Sequence, residues 1–133
     1  MSEQATPINI DPDPLAPYAI CPGWKVGGLI FLSGQAAIAK DGSIVGAEGS
    51  DSDFDLQLSQ TMANIERVLR AGGSDMSKIV KVTIYLTDMA NFPAIVEARK
   101  AHFTPPFPAD TIVEVSSLAL PELLVEIDVI ATT

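Results

Sequence analysis

The order of elements in this chain predicts an α+β domain of two layers, a mixed β-sheet with two helices on one face. Three observations lead there. Phe54, Leu58, Met62, Ile65 and Leu69 recur at helical spacing and form one apolar stripe. Val80, Val82, Ile84 and Leu86 alternate with Lys81, Thr83 and Tyr85, the period of a strand with one buried face. Along the chain the order reads several strands, helix, strand, helix, two strands, and each helix needs a sheet face on which to bury its apolar side.

Residues 1–16 carry Pro7, Pro12 and Pro14, which fix φ and remove donors, so this arm is expected to be extended or irregular. Tyr18 to Cys21 reads as a short strand before a Pro22-Gly23 turn. Leu29-Ile30-Phe31-Leu32, bounded by Gly27-Gly28 and Ser33-Gly34, reads as a buried strand. Asp41-Gly42 between Ala36–Ala39 and Ile44-Val45 reads as a hairpin turn. Ser52 or Asp53 is expected to cap the first helix, with Asp55 in its first turn, where the helix dipole favours anions. Gly72-Gly73 supplies its stop. The strand Ile79–Leu86 follows.

A second helix is expected near Asn91, a good capping residue, with Pro93 tolerated in the first turn. Phe92, Ile95, Val96 and Phe103 give it an apolar side, and Thr104-Pro105-Pro106 ends it. Two strands close the chain, at about 109–117 and 123–131. On the last one Glu126 and Asp128 point to one face and Val125, Ile127 and Val129 to the other. If the apolar set packs under the helices, Glu126 faces the uncovered side of the sheet, which a partner subunit would cover.

The 133 residues suit one domain with a proper core. A net charge of −9 sets the chain against phosphate backbones, so nucleic acid is not an expected partner. Cys21 is the sole cysteine, which excludes an intrachain disulfide and suits a reducing compartment. Met1-Ser2-Glu3-Gln4 opens no basic and apolar leader, and no apolar run reaches the length of a membrane span. A cytoplasmic location with no membrane partner is the expectation.

One histidine, His102, and one cysteine give no transition-metal set, and no calcium-loop spacing is present. The run Glu48, Asp51, Asp53, Asp55 reads as a solvated loop and helix start. A serine triad lacks a positioned base, and neither glycine pair has the spacing of a phosphate-binding loop.

The C-terminal third carries the chemistry. After Lys100 come Asp110, Glu114, Glu122, Glu126 and Asp128, with no further Lys or Arg. Carboxylates on strands need water, a proton or a cation, so the segment is either an exposed sheet face or a site. Glu126, among Leu124, Val125 and Ile127, would be desolvated if covered, with a raised pKa suited to a general acid or base. Alternatively it is a solvated residue on an edge strand. Ser33-Gly34-Gln35 is either a bulge or turn, or a place where a ligand approaches the backbone. Tyr18 is either core or cleft wall.

Several of these pieces, in order, resemble the Rid family (reactive intermediate deaminases, also called the YjgF family). They are Pro17-Tyr18, Leu32-Ser33-Gly34-Gln35, the helix with Gln60 and Asn64, Ala71-Gly72, Ile79-Val80-Lys81-Val82-Thr83, Asp88 with Phe92, Phe103, Phe107-Pro108-Ala109, Val113-Glu114-Val115, Leu120-Pro121 and Val125-Glu126-Ile127. The resemblance implies a chorismate-mutase-like fold over residues 1–133, assembled as a homotrimer with a central barrel and three clefts between subunits. It implies cofactor-free hydrolysis of small imines and enamines. Glu126 would handle water, and Tyr18, Ser33, Gly34, Phe92, Asp110 and Ile112 would line the cleft.

Asp110 departs from the family pattern, in which an arginine at this position grips the substrate's carboxylate. Val96 and Ile112 also stand where arginine-bearing relatives often have Asn and Cys. The chain therefore resembles a divergent, arginine-lacking branch, and little hydrolysis of 2-aminoacrylate is expected. With Asp110 and Glu126 beside one cleft and no cation to neutralise them, the cleft is expected to favour neutral or cationic amine-like ligands. The competing function is a non-catalytic trimer that binds a small metabolite or another protein. An endoribonuclease, also claimed for the wider family, fits the acidic charge poorly.

Overall fold

The computed structural model describes residues 4–47 and 53–133. Its strands are β1 (Thr6–Ile8), β2 (Gly23–Val26), β3 (Leu29–Leu32), β4 (Ile79–Leu86), β5 (Ala109–Glu114) and β6 (Val125–Thr132). Its α-helices are α1 (Asp53–Ala71) and α2 (Phe92–His102). The six strands form one mixed sheet in the order β1-β2-β3-β6-β4-β5. β4 and β5, joined through α2, run parallel, and the other pairs are antiparallel.

One face of the sheet makes the core. Val82, Ile84 and Leu86 of β4 and Val125, Ile127, Val129 and Ala131 of β6 are buried in a single cluster with the predicted stripe of α1 and with Ile95 of α2. Both helices therefore cover the same face, and β6 alternates buried and half-buried along its whole length. The opposite face carries Trp24, Leu29, Phe31 and Val113, all substantially exposed.

Several boundaries differ from the sequence reading, each for a local reason. Tyr18–Cys21 is not a strand. Ala16-Pro17-Tyr18 forms a 3-10 turn that closes on Ala19 at φ 60°, and the ladder on β2 is taken by the N-terminal arm. Pro7 is accommodated there because β1 is an edge strand, where its missing N–H costs nothing. Of the two proposed caps of α1, Ser52 lies outside the described residues and Asp53 is already helical. Glu48 and Asp51 of the acidic run also lie outside the described residues.

At the other end of α1 the stop is as expected. Gly73 takes φ 83° and the Ser74 N–H reaches back to the Leu69 carbonyl at 2.8 Å, closing a Schellman-type end. Asn91 makes no side-chain cap; Asp88 accepts from the Ala90 N–H at 2.9 Å and caps a 3-10 turn that leads into α2. β5 ends at Glu114 because its neighbour ends at Leu86, whose carbonyl takes the last bond, from the Val115 N–H. β6 begins at Val125, since Leu123 instead closes a turn onto Leu120 and joins a small cluster with Ala36 and Ala37.

Candidate functional site

Glu126 lies on β6, which is central rather than an edge. Its side chain points away from the helices, because its neighbours Val125 and Ile127 fill the core. The backbone across from it is irregular. β3 pairs with β6 up to Phe31↔Ile130, and the ladder resumes at Gln35↔Ile127. Four steps along one strand thus match three on the other, and the extra residue is a bulge at Ser33-Gly34. Mutual bonds of 2.8 and 2.9 Å between the Gln35 and Ile127 backbones fix its far end.

The bulge sets the carboxylate against Gly34. A Cβ at that position would collide with Glu126 Oε2 and stand 2.8 Å from Cδ, so glycine is what makes room for the side chain. Ser33 is anchored beside it: its N–H donates to the Pro22 carbonyl and its hydroxyl donates to the Cys21 carbonyl at 2.6 Å. The hydroxyl proton is thereby committed, and the oxygen's lone pairs remain for a ligand donor. Tyr18, Ser33, Gly34 and Glu126 line one open cleft of about 400 Å³, with Leu15, Ile20, Leu120 and Leu123 as apolar wall.

Burial raises the pKa of Glu126 above the ordinary carboxylate range, and the charge of Asp128 two residues on adds to it. The Asp128 carboxylate is in turn the acceptor for the Tyr85 hydroxyl at 3.2 Å. Desolvation, then this carboxylate, raises the Tyr85 pKa as well, so the phenol stays a donor. Across the strand Tyr85 is the register partner of Glu126. The site therefore offers one proton acceptor of elevated basicity, one hydroxyl oxygen and one exposed phenol against an apolar wall.

Phe92, Asp110 and Ile112 are not part of that group within one chain. β4 separates β5 from β6, so Asp110 and Glu126 do not lie on adjacent strands. Asp110 is level with buried Val82 on the helix side of the sheet, whereas Glu126 is level with Tyr85 on the open side. Together with Arg99, Phe103, Phe107 and Pro108, these three residues line a second cleft, also of about 400 Å³.

The expectation of an uncompensated carboxylate at Asp110 is also overturned. Arg99 Nη2 donates to Oδ1 at 2.7 Å and Nε donates to Oδ2 at 3.1 Å, a bidentate pair. The neutralising cation precedes Lys100 by one residue, so a count of basic residues after Lys100 passes over it. The pairing depends on the last turns of α2 facing the start of β5, which no local sequence pattern announces. Charge repulsion between Asp110 and Glu126 therefore does not arise within the chain.

The sequence profile of the family described as endoribonuclease L-PSP matches residues 9–133. The mitochondrial protein mmf2 of Schizosaccharomyces pombe is 43% identical over 96 residues, covering 72% of this chain and 71% of its own. A protein of Dermatophagoides farinae named 2-iminobutanoate/2-iminopropanoate deaminase is 34% identical, over 85% of this chain and 88% of its own. The crystal structure of a Rid-family protein of unknown function from Yersinia pestis superposes with a TM-score of 0.86 at 32% identity, covering 98% of this chain and all of that one. The chain belongs to the Rid family. As a Rid protein it has relatives named as deaminases, and its sheet and two helices match the solved structures of the family. Among its described residues no group of three His, Cys, Asp or Glu is arranged to hold a metal ion, and no helix is long and apolar enough to cross a membrane.

Proposed function

We propose that this Rid protein is a cofactor-free hydrolase of small imines or enamines, with Glu126 as the residue that handles water. The observation that carries the reading is the Glu126 carboxylate, seated on the bulge at Gly34 with its pKa raised, in a cleft with Ser33 and Tyr18. The raised pKa brings a carboxylate closer to neutral pH, where it is a better proton acceptor. In the proposed cycle water adds its oxygen to the C=N carbon and gives a proton to Glu126. The nitrogen takes up a proton, first from solvent and then from Glu126, and as the C–N bond breaks the carbinolamine hydroxyl gives its proton back to solvent, leaving a carbonyl and ammonia. Protons and electrons balance without an external redox partner.

The same reading includes a homotrimer. Tyr18, Ser33 and Glu126 lie on the open side of the sheet, and Phe92, Asp110 and Ile112 lie on the helix side. The two sets line one cleft only if different subunits supply them. The exposed Trp24 and Phe31 support burial of the open face by a neighbouring copy. A small-molecule ligand at this junction, in the cytoplasm and without nucleic acid, completes the proposal.

The test is turnover of a panel of small imines followed as ammonia release. Glu126→Gln is expected to lower kcat by about 100-fold or more, the usual contribution of a positioned general base. Wild-type turnover that is unchanged in Glu126→Gln would remove the residue from the mechanism. Ligand binding with no turnover of any imine would favour the non-catalytic alternative.

A further inference from the structure

The cleft around Arg99 and Asp110 has an unusual charge balance. Its walls are apolar and aromatic, with Phe92 and Phe107 exposed. The charged groups among its lining residues are one cation and one anion, and they are bound to each other. Both side chains are largely withdrawn from water, with 26% of Arg99 and 21% of Asp110 exposed. The pair is also held from the side, since the Arg99 guanidinium lies 5.6 Å from the centroid of the Phe92 ring.

We propose that the Arg99–Asp110 pair determines specificity: it selects an uncharged, partly apolar molecule bearing a carbonyl-type acceptor, such as an ester or amide, and turns away a free carboxylate. A guanidinium has five N–H donors. Asp110 occupies two of them, Nε–H and one Nη2–H, the side-on fork, and its charge cancels that of the guanidinium, so the end-on N–H groups that remain offer hydrogen bonds without a net positive charge. A carboxylate ligand has to displace Asp110, which leaves that anion half-buried without its partner, or settle beside it as a like charge. Either outcome is unfavourable. A neutral carbonyl oxygen needs a single donor, and the remaining N–H groups of Arg99 supply it while the pair stays intact. The aromatic walls take the ligand's apolar part.

This inference rests on the proposed junction of the two clefts, and so names the substrate class of that reaction: imines whose neighbouring carbonyl is an ester or amide. Its test separates the two. Titration calorimetry with methyl 2-oxobutanoate and with 2-oxobutanoate, on the intact protein, reads the preference without any turnover. Wild type is expected to bind the ester roughly tenfold more tightly than the acid or better. Asp110→Asn frees the fork and is expected to tighten binding of the acid by roughly tenfold, erasing the preference. Arg99→Met removes the donors and is expected to weaken the ester.

Equal or tighter binding of the acid by wild type overturns the proposal, as does failure of both probes to bind or an acid affinity unmoved by Asp110→Asn. If Asp110→Asn does not fold, the wild-type ratio and Arg99→Met decide. A preserved ester preference without turnover of any imine would leave this specificity standing and remove the hydrolase.

Discussion

At the scale of single residues, Glu126 is where function and stability pull apart. Its pKa is raised in the folded state by desolvation and by Asp128. A carboxyl with a raised folded pKa holds its proton more tightly when folded than when unfolded, so stability falls as pH rises from the ordinary glutamate value of about 4.3 to the raised one, and is level beyond it. The charged groups concerned are Asp128 on the same strand and, above its own elevated pKa, Tyr85 on β4. Glu126→Gln removes this penalty. Thermal melts are expected to give the variant a higher Tm than wild type at pH 7 and no advantage at pH 4. A variant less stable at pH 7, or an advantage that does not depend on pH, would contradict the burial argument. Glu126 was legible from its apolar flanks, and Ser33-Gly34 from the end of an apolar run. Arg99 was not, because its meaning lies in a partner eleven residues away on another element.

At the scale of elements, periodicity exposed the strands and helices but not the polar ties that fix them to one another. Gln57 was invisible as anything but a polar residue on α1. In the structure it is fully buried, donates to the carbonyls of Gly46 at 3.2 Å and Glu122 at 2.9 Å, and accepts from the Leu124 N–H at 2.8 Å. It joins α1 to the segment that delivers β6, and hence to Glu126. Asn64, two turns on, donates to the carbonyls of Ala36 and Ile38 at 2.8 Å and holds the segment that follows the bulge. A leucine at position 57 keeps the volume but takes their partner from three part-buried backbone groups, at up to about 1–3 kcal/mol each. Urea denaturation of Gln57→Leu is expected to show a loss of about 2–4 kcal/mol, and a loss below the measurement error would mean that the segment re-forms without this side chain. The misread strand at Tyr18–Cys21 has a related cause. A short apolar run beside proline is compatible with strand or turn, and the arm's claim on β2 decided between them.

At the scale of the whole molecule, the sheet has one face covered by the helices and one face open. Trp24 and Phe31 are adjacent in register across β2 and β3, and Phe31 pairs onward with Ile130 of β6. This row lies on the same face as Glu126 and, at 46% and 41% exposure, Trp24 and Phe31 are far more accessible than core aromatics. Burying such a row between copies gains apolar area and also removes water from the neighbourhood of Glu126, so assembly and basicity of the carboxylate are linked. The proposed trimer follows from the same geometry that separates the two clefts within one chain. Light scattering at micromolar concentration is therefore expected to give three times the chain mass. Phe31→Glu, which puts a charge into that row, is expected to lower the mass toward that of one chain, with far-UV circular dichroism unchanged because the side chain lies outside the core. Imine turnover is expected to fall in parallel, since each cleft then lacks its second wall. A wild-type mass of one chain would end the trimer reading. A Phe31→Glu monomer with full activity would show instead that the Glu126 cleft works alone, and would detach the Arg99–Asp110 edge from the reaction.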